Sequence, residues 1–176
     1  MIRKVLTVCL LVALCLTQML PAFAETREGV ILLEGMEETI SETLYVSPQG
    51  FSFWYADEVL EASQGEEAGE YSATLVKTIL SDDNMVLIVI GEEQAQSFAD
   101  EHGIDLTAGA GLWDLYEEAV GSKVLFCVLI ADGGHYLIAA GEYAQEAAEG
   151  NAKYFRRVLD SVVFAPDDPV QEAAAE

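Results

Sequence analysis

Basic residues are scarce in this chain, and their scarcity limits what the protein can bind. The sequence has 8 Lys and Arg residues against 31 Asp and Glu residues. Two of the basic residues, Arg3 and Lys4, lie in the first 24 residues, so residues 25–176 carry 6 bases and 31 acids, a formal charge of −25. Such a field repels nucleic acid and anionic lipid and attracts cations and basic surfaces. We therefore expect no nucleic-acid partner, and a protein partner whose surface can be basic.

Long apolar runs are also missing after residue 24. None of the later runs reaches the ~18 apolar residues that a membrane-spanning helix needs, so the sequence predicts no membrane span. Near the start, the apolar residues 5–16 follow Arg3 and Lys4 and precede the small residues of Ala22-Phe23-Ala24. This layout is typical of a secretory signal peptide in residues 1–24, cleaved near Ala24. It predicts a secreted or extracytoplasmic protein.

Cysteine is nearly absent from the predicted mature chain. Cys9 and Cys15 lie in the first 24 residues, so Cys127 alone remains and no disulfide can form within residues 25–176. Cys127 sits in the middle of an apolar run, residues 124–130. That setting is typical of a small buried apolar residue, so we expect Cys127 in the core rather than as a reactive thiol.

Strands are indicated by alternating and β-branched segments that flank turn residues. Residues 71–90 contain two such segments around the polar residues 81–84, which predicts a hairpin. Residues 124–130 and 136–140 flank the glycine-containing residues 132–135 and predict a second hairpin. The sheet is therefore predicted to be mainly antiparallel.

Helices are indicated where apolar residues recur at i, i+3, i+4 and i+7. This spacing predicts helices over residues 92–103 and 112–119, each followed or ended by a glycine, and a last helix over residues 143–162. Hairpins followed by helices, a hairpin and a terminal helix are typical of an α+β fold. The prediction is a mainly antiparallel sheet with helices on both faces.

Two segments near the ends of the predicted domain carry a family resemblance: Tyr45-x-Ser47-Pro48-x-Gly50-Phe51-Ser52-Phe53-Trp54-Tyr55, and Lys153-Tyr154-Phe155-Arg156-Arg157-Val158-Leu159-Asp160-Ser161-Val162-Val163-Phe164. They resemble the opening and closing segments of PsbP/Mog1-like domains. The resemblance implies an α-β-α sandwich. Characterised members of that family are mostly non-catalytic, namely photosystem accessory proteins and a partner of a small GTPase. The resemblance thus implies a binding or assembly module, and it carries no residue's role to this chain.

The predicted domain organisation follows from these segments. Residues 1–24 are the signal peptide, and residues 25–42 form an acidic N-terminal lead-in. Residues 43–165 form a single PsbP/Mog1-like domain, and residues 166–176 form a disordered acidic tail.

Two groups of residues are candidates for a site. Trp54, Tyr55 and Trp113 would anchor a peptide or glycan if they gather around a cleft between sheet and helix, although aromatic residues at period two are also typical of a core. Asp82, Asp83 and Asp132 lie in predicted turns and supply oxygen ligands for weak calcium binding. The competing explanation is that turns prefer aspartate. No dedicated cofactor is predicted.

The chain has no decisive catalytic motif. With Gly133-Gly134 as the loop of a hairpin, Cys127 and His135 lie ~17 Å apart, too far for a nucleophile and its base. Ser52 lacks the second glycine of a nucleophile elbow. The sequence favours a secreted, non-catalytic binding or assembly module that is a monomer. A small extracytoplasmic hydrolase that uses carboxylates, and a weak cation-binding surface protein, remain the alternatives.

The charge imbalance yields a first prediction. Repulsion among the acidic side chains lowers the free energy of unfolding, and salt screens that repulsion. Added NaCl should therefore raise the melting temperature, measured by circular dichroism. A melting temperature that stays flat or falls with salt would show that the acids are paired locally.

Overall fold

The structure is a computed structural model that describes residues 25–65, 72–147 and 150–165. The predicted signal peptide, with Cys9 and Cys15, lies outside the described residues. The first residue of the predicted hairpin, Tyr71, and the predicted tail, residues 166–176, lie outside them as well.

Strands dominate the described residues. Ten strands and two helices occur in this order: β1 (Thr26–Leu33), β2 (Met36–Ser47), β3 (Phe51–Tyr55), β4 (Leu60–Gln64), β5 (Thr74–Thr78), β6 (Asn84–Ile90), α1 (Glu92–His102), β7 (Gly111–Val120), β8 (Lys123–Asp132), β9 (His135–Ala144), α2 (Asn151–Asp160) and β10 (Val163–Phe164).

The strands form two antiparallel sheets. One has four strands in the order β1-β2-β3-β10, and the other has six in the order β4-β5-β6-β9-β8-β7. Both predicted hairpins are confirmed, since β5 pairs with β6 and β8 pairs with β9. In the second hairpin Asp132 is opposite His135 and Cys127 is opposite Ala140, as expected for the predicted Gly133-Gly134 loop. The first predicted helix is confirmed as α1, which ends at Gly103 with a left-handed φ of 67°.

The predicted α-β-α sandwich with helices on both faces is wrong, because two packed sheets with only two helices make up the described chain. Residues 112–119, predicted as a helix, belong to β7. A bulge between Asp114 and Tyr116 places one extra residue in β7. The extra residue breaks the alternation of a strand, so the apolar side chains imitate helical spacing.

Two other segments differ from the prediction. The last helix is shorter than residues 143–162, because β9 continues to Ala144 in order to pair with the whole length of β8. Residues 25–42, predicted only as an acidic lead-in, contain β1 and the first part of β2, which pair from Thr26↔Thr43 to Leu33↔Met36. We call this β1–β2 hairpin, Thr26–Leu33 and Met36–Ser47, the arm.

The core has two parts, one on each face of β8. Val124, Phe126, Val128 and Ile130 join the main cluster, together with Phe53 of the small sheet and Phe155 of α2. Cys127 and Leu129 face the second cluster, against which Phe98 of α1 packs. This arrangement explains why β8 is apolar at successive positions. Cys127 is buried, as predicted, and burial raises the pKa of its thiol.

A buried carboxylate joins the arm to α2. Glu42 of β2 has no exposed surface, and its two oxygens accept hydrogen bonds from Arg27 Nε at 2.8 Å and from Arg157 Nε at 2.7 Å. Arg157 Nη2 donates a further bond at 3.1 Å. Gly29 leaves the space for this carboxylate, because a Cβ there would lie 2.6 Å from Glu42 Oε2.

The arginines set the protonation state of Glu42. Burial alone raises the pKa of a carboxyl, but the hydrogen bonds and charges of Arg157 and Arg27 outweigh burial and lower the pKa of Glu42. A carboxyl whose pKa is lower in the folded chain stabilises the fold above its unfolded pKa of about 4.3. That contribution is lost as pH falls through the folded pKa.

We therefore predict that Glu42→Gln lowers the free energy of unfolding by about 3 kcal/mol at pH 7. The gap between wild type and variant should shrink as pH falls below the unfolded pKa of about 4.3, because the unfolded wild-type chain then binds a proton at Glu42 that the folded chain does not. Urea denaturation at pH 7 and pH 3.5 measures both effects. Glu37→Gln, an exposed change on the same strand, is the matched control. A gap that does not vary with pH would contradict the ionic role of Glu42.

Candidate functional site

A groove lies between α2 and the strands β7 and β8. Its volume is about 900 Å³, and the turn of the arm closes one end. Its lining combines apolar residues with charged residues from three parts of the chain: Glu34, Gly35, Asp114, Tyr116, Glu117, Phe126, Val128, Tyr143, Ala152, Lys153, Phe155, Arg156 and Leu159.

The floor of the groove is part of the main core. Phe126 and Val128 are alternate residues of β8, so their side chains point to the same face. Phe155 and Leu159 are four residues apart on α2 and share one side of the helix. The rings of Phe126 and Phe155 are 6.1 Å apart. Because these side chains pack in the core, the floor is held in place.

The two cations of the rim are already engaged. Arg156 Nη1 donates to Asp114 Oδ1 at 2.7 Å, and Arg156 Nε donates to Asp160 Oδ1 at 3.2 Å. Lys153 Nζ donates to the carbonyl oxygen of Leu32 at 2.8 Å. These bonds connect α2 to β7 on one side and to the arm on the other.

A tyrosine and a carboxylate meet at the wall of the groove. The hydroxyl of Tyr143 donates to Glu117 Oε1 at 2.8 Å. Burial and the adjacent Glu117 carboxylate together raise the pKa of Tyr143 to about 12. Tyr143 is therefore a neutral donor at physiological pH, and its hydroxyl fixes the position of the Glu117 carboxylate.

The turn of the arm has an unusual residue. Glu34 and Gly35 connect β1 to β2 with φ values of 49° and 81°. A two-residue turn with both φ values positive is normally built from Asn-Gly. Within the described chain Glu34 is the one residue other than glycine with a positive φ, a conformation that costs about 1 kcal/mol or more. This conformation places Glu34 at the end of the groove.

The structure does not bring the three predicted aromatic residues together. Trp54 and Tyr55 are neighbours in β3 and point to opposite faces. The Arg27 guanidinium covers Trp54, 4.3 Å from the ring centre, and Tyr55 packs against the main cluster. Trp113 lies in the other sheet against the second cluster, with its ring over Gly111. None of the three lines the groove.

The three aspartates predicted as calcium ligands likewise lie in two separate places. Asp82 and Asp83 precede β6, whereas Asp132 lies at the far end of β8, nine residues from Lys123, or roughly 30 Å along the strand. Lys123 pairs with Ala144, whose N–H donates to Asp83. Asp83 therefore lies at the Lys123 end of β8, far from Asp132. Among the described residues no group of three or more His, Cys, Asp or Glu side chains is arranged to hold a metal ion.

Asp83 is buried and has hydrogen-bond partners within the fold. It is 3% exposed, and its carboxylate accepts from the Ala144 N–H at 2.9 Å and from Asn151 Nδ2 at 2.5 Å. Asp83 therefore joins the end of β9 to the first residue of α2. The neighbouring Asp82 is exposed.

The groove residues Tyr116, Glu117 and Tyr143 were missed by the sequence analysis. Both of their segments were predicted as helices, which would have placed these side chains on helical faces. The one signal for the groove in the sequence was the apolar run at residues 124–130, which predicted the burial of Cys127 and belongs to β8.

The contrast between Asp83 and Asp82 gives a prediction. Asp83→Ala leaves two donors without their acceptor and should lower the free energy of unfolding by about 2 kcal/mol. Asp82→Ala, the matched exposed change, should cost less than about 0.5 kcal/mol. Urea denaturation with and without millimolar calcium measures both. If calcium raises the free energy of unfolding of the wild type and both variants lose this gain equally, these residues act as metal ligands and the structural explanation fails.

Comparison with known proteins assigns no family: no family model matches the chain, and no curated protein matches it either. The segments that resemble PsbP/Mog1-like domains form β2, β3, α2 and β10, and the relationship itself stays a prediction. The fold that the resemblance implied is not the observed one. No helix in the described ranges is long and apolar enough to cross a membrane, in agreement with the predicted absence of a span.

Proposed function

We propose that this protein is a secreted, non-catalytic binding module that holds a segment of a partner protein in the groove between α2 and β7–β8. The observation that carries the proposal is the groove itself, with an apolar floor, a charged rim and a volume of about 900 Å³. Ligand sites in proteins commonly have volumes of about 300–1,000 Å³ and this mixture of apolar and polar lining.

The floor and wall of the groove suit a polypeptide partner. Phe155 and Leu159 are fixed by the core, so the floor needs little ordering when a ligand binds. Tyr116 is 49% exposed on the wall and offers an aromatic side chain of the kind that anchors protein interfaces. The exposed Tyr116 and the half-buried Ala152 therefore offer a partner apolar surface above a rigid floor.

The polar groups of the groove favour binding over catalysis. The carboxylate of Asp114 is engaged by Arg156, and that of Glu117 by Tyr143. The described lining contains no His, Cys or Ser side chain from which to build a nucleophile and base pair. The hydrolase and cation-binding alternatives therefore remain predictions from sequence without a specific contact in their favour.

A displayed library of random 12-residue peptides tests the proposal. We expect peptides that bind the protein, and we expect Tyr116→Ala to weaken their binding about tenfold, which corresponds to about 1.4 kcal/mol. Fluorescence anisotropy with the selected peptides measures this change.

Val120→Ala is the matched control, because Val120 lies on the same strand, is similarly exposed and does not line the groove. It should change binding less than about twofold. The proposal fails if the library yields no binder, or if the selected peptides bind the Tyr116 variant as tightly as wild type.

A further inference from the structure

We infer that the segment held in the groove is basic and amphipathic, with apolar side chains on the floor and a Lys or Arg side chain against Glu117. This inference rests on the proposed function and adds the chemistry of the partner. It is drawn from the charges of the groove and from the contacts that each charged group already makes.

No Lys or Arg side chain after residue 24 is left over for an acidic partner. All six basic residues after residue 24 lie in the described chain, and each makes an intramolecular contact: Arg27 and Arg157 with Glu42, Lys77 with Glu61, Lys123 with Glu142, Arg156 with Asp114 and Asp160, and Lys153 with the carbonyl of Leu32. An acidic ligand would have to compete with these contacts and with the field of the uncompensated acids. A basic ligand is attracted by that field.

Carboxylates outnumber cations within the groove. Its lining contains three carboxylates, Glu34, Asp114 and Glu117, and two cations, Lys153 and Arg156. Arg156 is shared between Asp114 and a further carboxylate, that of Asp160. The groove is therefore negative overall, and Glu34 and Glu117 have no ion-pair partner within the described chain.

The surroundings of Glu117 favour a cation. Its Oε1 is held by the Tyr143 hydroxyl, and its register partner on β8 is Phe126. The rings of Phe126 and Tyr143 lie 5.9 Å apart beside it. A fixed carboxylate next to aromatic rings is a favourable environment for an ammonium or guanidinium group, which gains an ion pair and cation–π attraction.

Glu34 provides a second carboxylate at the end of the groove, on the turn of the arm. A basic segment in the groove meets both Glu117 and Glu34. Its apolar side chains contact Tyr116 and Ala152, the apolar lining residues that keep accessible surface above the buried Phe155 and Leu159. The partner that fits is thus a segment that alternates apolar residues with Lys or Arg.

Three synthetic peptides test this inference. They share the same leucine and phenylalanine positions and carry Lys, Gln or Glu at every polar position. We expect the Lys peptide to bind at least tenfold more tightly than the Gln peptide in 0.15 M NaCl, and the Glu peptide to show no binding. Anisotropy titrations of the protein with each labelled peptide give the affinities.

Two variants that each remove one negative charge distinguish binding in the groove from attraction by the acidic surface as a whole. Glu117→Gln should weaken the Lys peptide at least fivefold, because the amide keeps the bond to Tyr143 but loses the charge. Glu118→Gln removes the same charge at the next residue, outside the groove lining, and should change binding less than twofold. Melting temperatures of both variants check that they are folded.

The outcomes distinguish the two proposals. If the Gln peptide binds as tightly as the Lys peptide and Tyr116→Ala abolishes both, the groove is a binding site and the basic partner is wrong. If the Lys peptide binds wild type, Glu117→Gln and Glu118→Gln equally, the attraction is diffuse and the inference is overturned. If no peptide binds, both proposals fail.

Discussion

The buried contact of Glu42 with Arg27 and Arg157 is the constraint on which the observed architecture depends. It joins the arm to α2 across 115 positions of sequence. A carboxylate without exposed surface is tolerated only when cations compensate for its lost hydration, and here two do so. Because the same helix carries Phe155 and Leu159 into the core, fixing the arm on α2 also fixes the end of the groove at Glu34.

The scarcity of cations gives each of them a structural role. Lys123 with Glu142 joins β8 to β9, and Lys77 with Glu61 joins β4 to β5. Exposed pairs of this kind contribute little free energy each, whereas removing one partner of the buried Glu42 contact leaves an uncompensated charge and costs more. The consequence for function is a surface on which most acids have no partner cation. The acidic exterior and the engagement of every described cation within the chain are therefore two results of one composition.

Turn residues and apolar spacing in the sequence predicted the hairpins and the helix whose formation depends on neighbouring residues. The hairpins at residues 81–84 and 132–135 were predictable because turn residues separate two β-rich segments there, and α1 was predictable from its spacing and from Gly103. The arm was missed because its acidic sequence pairs with itself and packs through Glu42 on a helix far along the chain. The groove was missed for the same reason, since its walls come from three distant segments.

The most informative error is that at β7, because the bulge that caused it also shapes the groove. Asp114 is opposite Val128 and Glu117 is opposite Phe126, so three steps on β7 match two on β8. Without the extra residue, Tyr116 would be opposite Phe126 and no carboxylate would meet the Tyr143 hydroxyl. Bulges commonly redirect side chains next to functional sites. Together with the positive φ of Glu34, this places both departures from local rules among the residues that line the groove.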